Sequence, residues 1–534
     1  MKQRTLAFLI ALTLLIPCIL GFSTAASAEG ETATTPSGIW DGSYDTAWFD
    51  ANSATKEATL TTPQQLAGMT QLNKGGQKFE GWTVRLGANL FMNAGNAGDW
   101  QTAAPANEWR PIRNFMGTFD GQGYSISGLF CNNPTEEGVG LFAFLNGATV
   151  KNLMVTNSLL IGKKDVGAVA GFIRYGAAKM ENVYSDAILS VDSASDDGAR
   201  SGGLLGLNDC IQESTLKQCW FNGTIVADSA TDNWATRVGG LVGKTAGVTT
   251  LEDCLYTGSL TGHSQIGGLI GAVEGRGSAN LTRCLMLGTI TSNRPIAANR
   301  TYAGQFVGIL FGSLTATVNQ CYGANSYAVN YLGDNASAEF KTAYSSTNNS
   351  GKLLGTEGTD YGRFSLADLT GENAKSKLTA FDFETVWTVM PNGTPVLRAL
   401  AAARRTPALY GFQNTAVSEA NTYSIRFVST LSSIPERAGT TITVTTSNGT
   451  YDLSKEATCV FTSLLADESG KMTAKTSYAL GGRYLMALTV ENIPTSEGRL
   501  TFTVTPWVEE DGVRYTGAPV EVIFDAGIPQ TAEN

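Results

Sequence analysis

The chain has 534 residues, 43% apolar, 9% aromatic and 16% charged, with 37 Lys and Arg against 47 Asp and Glu. The apolar share excludes a disordered chain, and the net charge of −10 argues against a nucleic-acid-binding or anionic-membrane surface. A single histidine leaves no His-rich metal centre, so no metal or cofactor is expected, while sixty glycines point to strands and tight turns in several domains.

Residues 1–28 read as a secretory signal peptide. Lys2 and Arg4 precede an apolar run from Leu6 to Phe22, and Ala26-Ser27-Ala28 supplies the small-residue cleavage site. Cys18 follows Ile16-Pro17, a poor lipoprotein box. Cleavage would remove two cations and no acid, taking the charge from −10 to −12. No later stretch is long and apolar enough to span a membrane, and Gln530 to Asn534 form a polar end without a sorting signal. The mature chain is expected outside the cell, secreted or held at a surface by non-covalent contacts, as a monomer.

Residues 29–115 form an expected cap. Thr62, Pro63 and Gln65 have the spacing of a capping box, which predicts a short helix over about 63–73. Trp40, Trp48, Trp82, Trp100 and Trp109 crowd this region. They could stack on sugars or plug the open end of a strand array; the plug fits better.

Self-similarity dominates residues 116–333. A Gly-aliphatic strand recurs, as in Gly202-Gly203-Leu204-Leu205-Gly206, Val238 to Gly243 and Ile266 to Gly271. A second element follows each time, as in Leu216-Lys217-Gln218-Cys219, Leu251-Glu252-Asp253-Cys254 and Leu281-Thr282-Arg283-Cys284. Short apolar strands split by glycines predict an all-β fold, a parallel β-helix or β-solenoid whose coils stack about 4.8 Å apart. Glycine at one place per coil is expected to permit a sharp corner or a positive φ. Cys219, Cys254, Cys284 and Cys321 share one register with Leu153 and Val183, which predicts a buried ladder of thiols. Disulfides are the rival in an exported protein.

Phe119-Asp120-Gly121-Gln122-Gly123-Tyr124-Ser125-Ile126-Ser127-Gly128-Leu129, followed by the Gly-Gly-Leu-aliphatic-Gly units, resembles the GLUG-motif proteins of bacterial surfaces. Trp40 to Ser43, Thr62 to Met69 and Trp109 to Ile112 resemble their N-terminal cap, and Phe381 to Leu397 the element that closes the repeats. The resemblance covers about 38–400 and implies an adhesin-like surface module. The motif also occurs beside a metallopeptidase domain, but this chain has no His-Glu-x-x-His.

Residues 334–404 read as a closing segment and linker. Beyond them, strand-like runs such as Tyr423 to Val428, Thr440 to Thr445 and Leu500 to Val504 predict an antiparallel, immunoglobulin-like β-sandwich over 405–527, with a tail at 528–534.

No catalytic residue can be assigned. His263 is expected in an exposed turn, and no nucleophile elbow, phosphate loop or dinucleotide fingerprint is present. The long insertions 190–201, 227–237 and 291–305 all precede the Gly-Gly strand, so they should leave one coil corner. They carry Asp192, Asp196, Asp197, Arg200, Asp232, Trp234, Arg237, Arg300 and Tyr302, a mixed set suited to a glycan or a cell-surface protein. The sequence thus favours a binding or adhesion protein. A polysaccharide-degrading β-helix enzyme, glycosidase or lyase, would need two converging carboxyls; a structural stalk would need neither carboxyls nor exposed aromatics.

Overall fold

The computed structural model describes residues 39–93, 97–135, 137–191, 198–227, 236–263, 265–292, 302–311, 313–324, 329–331, 352–354, 356–389, 393–405, 407–414, 417–418, 421–431, 437–447, 449–453, 484–510, 513–517 and 520–530. The signal-peptide residues lie outside this set. Two compact units divide the chain, one over most of Trp40–Ala403 and the other containing Arg404–Asn534.

The first unit is a succession of short parallel strands that, from Asp165 on, returns to the same four rows coil after coil. One coil shows the path. Ser214–Lys217 and Trp220–Phe221 lie in a broad sheet, Thr224–Ala227 in a seven-stranded row, Arg237–Gly239 in a five-stranded row and Val242–Thr245 in a six-stranded row. The chain then re-enters the broad sheet at Val248–Glu252, one level on, in register with Ser214–Lys217. Every strand pair in these four sheets is parallel, as a β-solenoid requires. In the seven-stranded row Leu160, Leu189, Ile225, Leu260 and Ile290 are successive partners, and all are buried in one core. Each contributes about 1.5–3 kcal/mol by leaving water, a gain realised only when a neighbouring coil covers it.

At the start of the stack a helix spans Pro63–Lys74, with a complete capping box between Thr62 and Gln65. All five tryptophans of this region are buried, so none offers an exposed stacking face. Trp48, Phe79 and Trp82 form an edge-and-face cluster beneath the helix, continuous with the core of the coils.

The glycines act differently from the sequence expectation. Positive φ falls on non-glycine residues of the second repeat element: Asn152 (51°), Asn182 (53°), Gln218 (52°), Asp253 (51°), Arg283 (49°) and Gln320 (55°). Gln218, Asp253, Arg283 and Gln320 each separate two strands of the broad sheet, while Asn152 and Asn182 lie within the single strands Thr149–Thr156 and Lys179–Ser185. Left-handed backbone costs an ordinary residue roughly 1–2 kcal/mol, and polar bonds between levels offset it. Asn182 Nδ2 donates to Asn152 Oδ1 at 3.2 Å, Asn152 Nδ2 to Asp120 Oδ1 at 3.0 Å, and the Arg283 guanidinium grips both Asp253 oxygens at 2.8 Å. The repeated Gly-Gly residues are needed instead for space. A Cβ on Gly203 would lie 2.3 Å from the Gly240 carbonyl oxygen, and one on Gly240 would lie 2.1 Å from that of Gly268.

Residues following the cysteine register point the other way and form an outer ladder: Met154, Tyr184, Trp220, Leu255, Leu285 and Tyr322 are successive partners in the broad sheet. The segment after the coils turns back over this flank. Leu369, Leu378, Phe381, Trp387, Leu397 and Leu400 share a buried apolar cluster with Tyr184, Trp220, Leu255, Leu285 and Tyr322. Trp387 is fully buried and its Nε1 donates to Asp253 Oδ1 at 3.2 Å.

The second unit holds two antiparallel sheets. Ala408–Asn414, Thr422–Leu431 and Tyr484–Pro494 form one; Arg437–Thr446, Arg499–Glu510 and Val520–Asp525 form the centre of the other. Ile425 and Phe427 from the first and Ile442, Phe502, Val504 and Phe524 from the second meet in one core, the packing of a β-sandwich.

Candidate functional site

The corner between the seven- and five-stranded rows is where coil lengths diverge. Coils turn it between Gly162 and Asp165 and between Gly262 and Gln265 with two intervening residues. Their neighbours carry residues 192–199, 228–236 and 293–301 between the equivalent strands. All three insertions therefore leave the same edge of the stack. Asp192, Asp196, Asp197, Asp232, Trp234 and Arg300 lie outside the described residues.

Arg200, Arg237 and Tyr302 begin the five-stranded row, where Asp165, Arg200, Arg237, Gln265 and Tyr302 are successive partners. The row therefore brings these three candidate residues to one edge. The two arginines are built into the wall rather than carried on a loop. The Arg200 guanidinium is paired with Asp165 through both nitrogens, Nη2 to Oδ2 at 3.0 Å. Burial pushes the Asp165 carboxyl up, against the pull of Arg200. Arg237 Nε donates to Glu274 Oε1 at 2.6 Å and Lys244 Nζ meets Glu274 Oε2 at 2.6 Å. Burial would raise Glu274, yet these two cations hold its carboxyl below the usual carboxylate range. Such pairs tie one coil to the next and set a charged frame along the strands that follow the insertions.

His263 occupies this corner as well, and it is buried, contrary to the exposed turn expected from its Thr-Gly-His-Ser setting. The coil crosses the corner so quickly that no loop carries the ring outward. Among the described residues no group of three His, Cys, Asp or Glu side chains is placed to hold a metal ion.

Inside the stack, Cys219, Cys254, Cys284 and Cys321 are fully buried, and no disulfide joins them to one another or to the buried Cys210. The Cys254 thiol donates to the Leu216 carbonyl at 3.2 Å, and the Cys284 amide donates to Cys321 Sγ at 3.4 Å. Burial pushes the Cys254 and Cys321 thiols up, which keeps them protonated and unreactive. Ellman's reagent is thus expected to leave these four thiols unmodified in the native protein and to label them in guanidinium. Rapid labelling of native protein, mapped to any of the four by peptide mass, would contradict this placement.

The sequence reading missed the outer ladder and the flank that it buries. A signal was present: the residue after each Leu153-type position is itself apolar, so two successive apolar side chains mark a strand covered on both faces.

No protein-family model matches this chain. It is 33% identical to an immunoglobulin A1 protease of Streptococcus pneumoniae over 166 residues, 30% of this chain and 7% of that protein. A protein of the same name from Streptococcus sanguinis is 32% identical over 166 residues, 8% of its length. Halomucin of Haloquadratum walsbyi is 23% identical over 218 residues, 2% of its length. The chain spans less than a tenth of the length of these relatives. Among solved structures, a candidate immunoglobulin A1 protease from Bacteroides ovatus aligns with a TM-score of 0.46 and 17% identity, over 64% of this chain and 91% of that one.

Proposed function

We propose that this chain is an exported bacterial binding protein in which a rigid β-solenoid presents recognition loops to a glycan or a protein at a cell surface. The observation that carries this reading is the departure of three insertions from one corner, with Arg200, Arg237 and Tyr302 at their bases. A stack of hydrogen-bonded coils fixes the loop bases with little freedom, which lowers the entropy lost on binding. The partial similarity to immunoglobulin A1 proteases supports a secreted or surface setting, and the Gly-Gly-Leu-aliphatic-Gly units support a place among GLUG-motif proteins. The protease activity named for those relatives is not part of this reading, since the chain spans less than a tenth of their length. No helix of the described residues is long and apolar enough to cross a membrane.

The test replaces residues 228–235 by a short turn like that of Lys163 and Lys164, which cross the same corner in an earlier coil. Binding of the full chain to neutral glycans on an array and to immobilised host-surface proteins is expected to fall at least tenfold, while the thermal midpoint stays unchanged. Undiminished binding would remove the corner as the recognition site.

A further inference from the structure

An open cleft of about 830 Å³ lies between the helix Pro63–Lys74 and the segment from Glu108 to Asn114. Among the described residues its charged lining is Lys74, Lys78, Arg110 and Arg113 against the carboxylate of Glu108. Cations thus outnumber carboxylates among the described lining residues, on a chain whose net charge is −10. Among the described residues, Lys74, Lys78 and Arg110 are exposed and make no ion pair; Glu108 accepts the Asn132 amide at 3.3 Å.

The walls are built rather than incidental. Asn73 at the helix end joins them: its Oδ1 accepts the Arg113 amide at 2.7 Å and its Nδ2 donates to the Arg113 carbonyl at 2.5 Å. Trp109 is buried, and its Nε1 donates to the Gly140 carbonyl at 3.2 Å, which anchors the opposite wall to the first coils. The cations thus project from two braced surfaces. Between them lie amide side chains, Gln71, Asn114 and Asn133, and the Tyr44 side chain, 44% exposed, joins the lining.

We propose that this cap cleft binds an acidic oligosaccharide, one bearing carboxylates or sulfates. Cations neutralise the acid groups, with Arg suited to paired oxygens. Amides match sugar hydroxyls as both donors and acceptors. An exposed tyrosine ring offers a stacking face, and the volume lies within the range of small-ligand sites. The mixture of amides with cations favours a hydroxyl-rich anion over an acidic peptide. The site is independent of the insertion corner.

Calorimetry on the full chain tests this with a heparin-derived hexasaccharide, a hexagalacturonate, maltohexaose and a poly-glutamate peptide as probes. At least one acidic hexasaccharide is expected to bind, with affinity falling as salt rises, and maltohexaose is not. The double variant Lys74→Gln, Arg110→Gln is expected to weaken that binding at least tenfold with an unchanged melting curve. Should it fail to fold, Lys78→Gln serves the same purpose. Excision of 228–235 is expected to leave this binding intact, which separates it from the corner. Absence of binding by either acidic sugar, equal binding by the variants, or tighter binding of poly-glutamate would overturn the proposal.

Discussion

Replacing Trp387 by alanine is expected to destabilise the first unit by about 3–5 kcal/mol, the usual cost of emptying a buried tryptophan site. The ring is fully buried, stands 5.0 Å from Phe381 and donates to Asp253. Its loss opens a cavity in the buried cluster that the returning segment shares with the outer ladder. Urea unfolding followed by circular dichroism gives the midpoint, and limited proteolysis reports whether 365–403 detaches first. Trp387→Phe keeps most of the volume and loses the hydrogen bond, for which about 1.5 kcal/mol is expected. Asp253 retains Arg283, so no buried carboxylate is left unpaired. An alanine variant within about 0.5 kcal/mol of the parent, the range of ordinary surface changes, would mean that the flank contributes no stability.

The second large effect is expected from Gly240→Ala. The added methyl would sit 2.1 Å from the Gly268 carbonyl oxygen and 2.7 Å from the Tyr256 ring. The ring can shift, but the carbonyl belongs to the next coil and accepts no such displacement without parting the strands. Overpacking of this kind costs about 1–3 kcal/mol. Gly362 is the control: its nearest neighbours would be Tyr322 ring atoms at 3.8 Å, an ordinary contact, and its φ is not positive. Gly362→Ala is expected to stay within about 0.5 kcal/mol. Equal urea midpoints for the two variants would remove the spatial account of the repeated glycines.

The repeat region was legible because stacking writes the same requirement into every coil. An inward position tolerates only compact apolar groups, so Leu153, Val183 and Cys219 to Cys321 recur at one register. The capping box at Thr62 and Gln65 was equally local, needing only three residues in sequence. Two features were not legible for opposite reasons. The repeated glycines suggested a backbone signal, yet at Gly203 and Gly240 the constraint comes from a carbonyl one coil away, which no single coil reveals. The bends themselves fall on Asn, Gln, Asp and Arg, whose left-handed conformation is held by partners on neighbouring levels, as Arg283 is by Asp253. At the corner, composition indicated a set of loop charges. It could not show that Arg200 and Arg237 are consumed by Asp165 and Glu274, since the acids come from other coils. The basic cleft was invisible because its two walls are separated in sequence and meet only through folding, as at the bonds between Asn73 and Arg113.

The returning flank segment also has a mechanical consequence. Backbone hydrogen bonds between coils run along the stack, so tension applied along that direction would unzip a bare array one level at a time, each at low force. Leu369 to Leu400 adhere across the levels from Tyr184 to Tyr322 as a splint. The splinted levels would have to yield together, and a tether pulled by flow or by a moving surface would resist as one block rather than as a series of weak links.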